Sequence, residues 1–174
     1  LQAAKLNDDV EVAHYAATAV AQISKESDLK LQQLERAFKT DPSAQNLNEY
    51  CDFLGEYLGS GLAEGRVAQI QRQQYARLLA RRCEREDTLE LRIRHATALA
   101  DVGQIDEAQA VTDQLVLDVP EEQEVWMLCL RLAVMRRDGD EVHRVIDAID
   151  KQHVYLSADN REKLAFWRDG EEAR

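Results

Sequence analysis

The chain has 174 residues, with 22 Lys and Arg against 33 Asp and Glu, and a formal charge of −11. That acid excess excludes the basic face that broad nucleic-acid binding requires, and it disfavours an anionic membrane surface as a partner. Seven Gly and two Pro are less than half the roughly 12% of average usage, and the wealth of Ala, Leu, Glu, Gln and Arg leaves little room for an all-β fold.

The length suggests a single domain or one stack of repeats spanning 1–174. Asp8 and Asp9 are placed to cap a helix with apolar residues at Val12, Tyr15, Ala16, Ala19, Val20 and Ile23. A second apolar set, Leu29, Leu31, Leu34, Ala37 and Phe38, stops at Asp41-Pro42, because the residue before proline is pushed out of the helical region. Ser43 can cap the next helix, whose apolar side carries Leu47, Tyr50, Phe53, Leu54, Tyr57 and Leu58 and which ends at Gly59-Ser60-Gly61.

From Ala63 to Arg85 the spacing predicts a long, charged helix with Val67, Ile70, Tyr75, Leu78 and Leu79. Asp87 or Thr88 opens a helix that reaches Gly103, and another runs from Ile105 to Asp118 before Pro120. Three more are expected near 121–137, 140–152 and 158–168. No stretch alternates with period two for long enough to be a strand.

Displacing the chain by 34 residues lays 89–120 on 123–154. Ala96 then meets Leu130, Leu99 meets Ala133, Ala108 meets Val142, Val111 meets Val145, and Leu115 meets Ile149. Only Arg92 against Trp126 breaks the apolar class among the pairs compared. An ordinary helical bundle whose pairs share a spacing is the alternative to a true repeat.

Leu89 to Pro120 resembles a tetratricopeptide repeat (TPR), with Ala96, Gly103, Ala108 and Pro120 at that family's small, turn and stop positions. The following repeat matches with Trp126 and departs at Leu130, Arg137 and Val142. A middle repeat reads Tyr50, Phe53, Leu54, Tyr57 and Gly61, and a degenerate first repeat precedes it. The resemblance implies an all-α, right-handed superhelical stack of antiparallel helix pairs, a TPR-like α-solenoid. About four repeats are expected, at 9–42, 43–86, 87–120 and 121–154, with a capping helix over 157–169. Small residues admit close helix approach, and each pair needs neighbours to complete its core.

More narrowly, Glu11-Val12-Ala13-His14-Tyr15-Ala16-Ala17-Thr18 followed by a charged helix is similar to the cytosolic TPR region of the PelE family, inner-membrane components of bacterial Pel exopolysaccharide assembly. That likeness implies a cytoplasmic scaffold for biofilm exopolysaccharide biosynthesis. Its implied partners are a membrane-bound cyclic di-GMP receptor and a glycosyltransferase. A start at Leu1 without Met is expected of a fragment whose parent carries membrane helices upstream.

Little chemistry is legible. Cys51, Cys83 and Cys129 form no CxxC, and used as small apolar residues they suit a reducing compartment. His14, His95, His143 and His153 fall in no HExxH pattern. Asp138-Gly139-Asp140-Glu141 lacks the rest of a calcium loop and reads as a turn with a helix cap. With no nucleophile elbow and no Gly-rich phosphate cradle, we expect no enzyme, no cofactor and no metal.

In the family, helix-A positions 2, 5, 9, 12 and 13 face the concave groove. Carried onto this chain they are Glu90, Ile93, Thr97, Ala100 and Asp101, then Glu124, Met127, Arg131, Val134 and Met135. In the middle repeat they are Asn48, Cys51, Gly55, Leu58 and Gly59. The mixed lining lacks the Lys and Asn array of the family's carboxylate clamp, and suits a helix or an extended peptide of a protein partner. Secondary candidates for docking are Tyr15 and an arginine stripe of Arg72, Arg77, Arg81, Arg82 and Arg85. The alternatives are a self-associating module that packs through the first helix or the Leu164, Phe166, Trp167 edge, and a regulatory repeat protein unrelated to polysaccharide assembly, binding a small molecule in the groove.

Overall fold

A computed structural model describes the backbone over residues 2–172 and the side chains at 18, 19 and 22–168. Among the described residues there are eight helices and no strand: α1 (Gln2–Thr40), α2 (Ala44–Gly59), α3 (Gly65–Cys83), α4 (Leu89–Asp101), α5 (Ile105–Asp118), α6 (Gln123–Arg136), α7 (Gly139–Lys151) and α8 (Ala158–Glu172). None of them is long and apolar enough to cross a membrane. The chain divides into two compact units, 1–71 and 72–174, where the sequence reading expects a single domain.

In the first unit α1 is one unbroken helix of 39 residues. This corrects the expected helix pair over 9–42. No glycine, proline or turn cluster lies between the two apolar sets, so nothing interrupts the backbone ladder. Asp8 and Asp9 lie within the helix rather than capping it. Their side chains, like those of His14 and Tyr15, lie outside the described residues.

The helix stops at Thr40, ahead of Pro42, and Ser43 caps α2 by accepting from the Asn46 amide. Leu31 and Phe38 of α1 and Leu47, Tyr50, Leu54 and Tyr57 of α2 are buried. Phe38 and Tyr50 meet in a tilted contact with ring centroids 6.2 Å apart. The Tyr57 hydroxyl donates to Asp28 at 2.5 Å, and the Lys30 ammonium lies 4.3 Å from the Phe53 ring centre. Burial, with Glu35 nearby, pushes the Tyr50 phenol up to about 12. Val67 and Ile70, expected on the apolar side of α3, are 59% and 58% exposed.

In the second unit the displacement of 34 residues between the sequences of 89–120 and 123–154 recurs in the backbone. α4 and α6 start at Leu89 and Gln123, and α5 and α7 start at Ile105 and Gly139. Neighbouring helices pack in order from α4 to α8, and α4 also packs on α6. The matched positions Ala96 and Leu130, Leu99 and Ala133, Ala108 and Val142, and Leu115 and Ile149 are all buried.

The turns match too. Gly103 (φ 80°) and Arg137 (φ 58°) both take the left-handed conformation after an A helix. Each is closed by the same pair of backbone bonds: Gly103 to Ala100 and Gln104 to Leu99, then Arg137 to Val134 and Asp138 to Ala133. Thr88 and Asp138 cap α4 and α7 through their side-chain oxygens. The Trp126 indole donates to the Pro120 carbonyl at 2.7 Å, pinning the inter-hairpin turn to α6.

Candidate partner-binding face

α4 and α6 lie side by side, and the outward positions of both hold most of the residues expected to meet a partner. On α4, Glu90 is exposed and its carboxylate stands 3.9 Å from Arg94, while Ile93 and Thr97 are half-buried. On α6, Glu124 and Arg131 are exposed, Met135 is 42% exposed, and Met127 packs its flank against the core with only part of its surface free. Two expected positions face inward instead. Ala100 and Cys51 are both fully buried, because helices pack tightly over them.

The face is bridged by charge. Arg131 of α6 donates to Asp101 at the end of α4, and Arg136 donates to Asp106 at the start of α5 at 2.8 Å. Both pairs are separated by 30 residues. The Arg131–Asp101 pair joins the matched helices α4 and α6 one turn short of the 34-residue repeat, so opposite charges at that separation are a signal the sequence carries. A third bridge joins Arg92 of α4 to Asp118 of α5 at 2.7 Å, and the Arg92 guanidinium holds the Asp118 carboxyl below its ordinary value. Arg94 donates to the Tyr75 hydroxyl at 2.8 Å and lies over that ring, joining α3 to α4.

The arginines of α3 do not form one stripe. Arg72 and Arg81 are separated by about two and a half turns, which sets them on opposite sides of the helix. Arg77 and Arg81 are exposed, whereas Arg82 is 14% exposed and turns back to Glu86 at 3.6 Å. Arg85 lies beyond the end of the helix. At the α8 edge, Leu164 is buried and Trp167 packs on the core, leaving Phe166 alone largely exposed at 69%. The Phe166 and Trp167 rings meet edge to face at 5.6 Å.

Burial pushes the Cys129 thiol up to about 12, with Asp113 and Glu141 adding to the effect, and burial lowers the His95 imidazole. Among the described residues no three of His, Cys, Asp and Glu converge on a possible metal position. No family model, no curated protein and no solved structure matches the chain.

Proposed function

We propose that this chain is a protein-interaction scaffold, a TPR-like superhelical stack whose α4–α6 face docks a segment of another protein. The observation that carries the reading is the repeated hairpin. Two helix pairs with the same turns and matched buried positions set α4 and α6 side by side, with Glu90, Thr97, Asp101, Glu124, Arg131 and Met135 on outward positions. Such a surface mixes charge with an adaptable thioether and suits a helix or extended peptide.

The resemblance of 11–18 to the PelE family supports a more specific setting: the cytoplasmic portion of an inner-membrane protein in exopolysaccharide biosynthesis. There it would dock a cyclic di-GMP receptor and a glycosyltransferase. The test is co-purification with the soluble domains of those subunits, and with a source-organism lysate, using wild type and Arg131→Glu side by side. The variant reverses the charge in the middle of the face, so capture drops by about an order of magnitude. Equal recovery by both proteins moves the site off this face. Capture of other proteins but neither subunit removes the exopolysaccharide setting alone.

One observation favours a second reading, self-association: Phe166 stands 69% exposed on α8. Light scattering over a concentration series decides it. A stable monomer at micromolar concentration removes that reading.

A further inference from the structure

A cleft of about 580 Å³ lies where α7 ends and α8 packs back on it. Ligand pockets run from about 300 to 1,000 Å³, so the space suits a side chain or two with its backbone. The floor is apolar and built from Ile149, Leu156 and Leu164, each at most 7% exposed. Tyr155 stands in the wall 80% exposed, an aromatic surface with little covering it.

The charged lining is Arg161 and Arg168 against a single carboxylate, Asp150, with His153 beside them. Arg168 already engages that carboxylate at 2.8 Å. Among the described residues Arg161 has no ion-pair partner. On the same helix Asp159 is taken by Lys163 at 2.6 Å. The unpaired charge of the lining is thus the Arg161 guanidinium, on a chain whose formal charge is −11.

We propose that this cleft binds an acidic peptide segment of a partner protein that carries a bulky apolar side chain. The apolar side chain enters over Ile149, Leu156 and Leu164 and against Tyr155, and a flanking carboxylate pairs with the Arg161 guanidinium. A guanidinium offers a planar fork of donors that matches a carboxylate bidentately. A basic segment would set its charge against Arg161, so the site discriminates by sign as well as by shape. None of these residues belongs to the α4–α6 face, so the two sites stand or fall separately.

The experiment is an amide-resolved NMR titration of the full chain with the blocked peptide Glu-Asp-Leu-Phe-Asp. The controls are Lys-Lys-Leu-Phe-Lys and inorganic phosphate. Saturable shifts confined to the end of α7, the 152–157 connection and α8 are expected from the acidic peptide alone. Arg161→Glu weakens that binding by about tenfold or more with an unchanged melting temperature, since the side chain is exposed. Tyr155→Ala, also at an exposed position, weakens it several-fold.

The proposal is overturned by any of four results. They are no saturable shift up to millimolar peptide, equal binding of the lysine peptide, full displacement by phosphate at the peptide's own concentration, and shifts that map instead to α4 and α6.

Discussion

Arg137 occupies the same left-handed turn that Gly103 occupies 34 positions earlier, with φ 58° against 80° and matching backbone bonds on either side. Glycine takes that conformation without steric cost, whereas a side chain costs about 1–2 kcal/mol there. The space around Gly103 is open, so backbone strain alone decides what a Cβ does at that position. Gly103→Ala should therefore destabilise by about 1 kcal/mol, and Arg137→Gly should stabilise by about 0.5–1 kcal/mol once the extra chain entropy of glycine is set against the relieved strain. Urea midpoints of the two variants check this. Shifts of the same sign would mean that the two turns are not equivalent.

The Arg131–Asp101 bridge spans two helices at a partly exposed position, with side chains 43% and 40% exposed. A double-mutant cycle with Arg131→Ala and Asp101→Ala is expected to give a coupling of about 0.2–1 kcal/mol, shrinking with added salt. Arg131→Glu, which sets a carboxylate beside Asp101, should cost no more than about 1 kcal/mol. That small cost lets a loss of partner capture be read as a binding effect. A coupling near zero at low salt would show that the bridge does not persist in solution.

Ala108 is fully buried where α5 packs on its neighbours, and its carbonyl accepts the Thr112 hydroxyl at 2.7 Å. Ala108→Trp should destabilise by roughly 1–3 kcal/mol or more, because no space exists for the indole. Circular dichroism melts measure it, and a melting temperature within about 2 °C of wild type would contradict the packing, given shifts of about 2–4 °C per kcal/mol for a chain of this size.

His95 is half-buried on α4, and burial lowers its pKa from the ordinary 6.5. The unfolded chain therefore takes up a proton on this ring before the folded chain does. Its contribution is fully present above about pH 6.5 and declines as pH falls from there toward the lowered folded value. Wild type should lose stability between about pH 7 and 5.5, and His95→Gln should lose less over the same window. Parallel slopes for the two proteins would show that His95 contributes nothing to that dependence.

Much of the local structure was legible from residue type and order. Ser43, Thr88 and Asp138 cap helices because a short side-chain oxygen reaches an orphan amide. Pro42 bounds α1, and Gly103 closes α4, through backbone constraints that act within a few residues. The 34-residue displacement identified Ala96, Leu99, Ala108 and Leu115 and their partners as buried, since periodicity marks the side of a helix that must be covered.

Tertiary structure alone decided what covers each side and what reaches across. Val67 and Ile70 have the spacing of a core face yet stand exposed, while Ala100, assigned to a groove, is sealed by packing. The two apolar sets of α1 read as a helix pair, but a helix continues wherever no residue breaks it, and nothing between Ile23 and Leu29 does so. The packing of α6 on α4 sets Arg131 beside Asp101, and the cleft at α7 and α8 combines His153 with Arg168, residues that no local motif links. Periodicity and capping are set by backbone geometry over one or two turns. Contacts between helices depend on the packing of several elements at once, which no short window of residues contains.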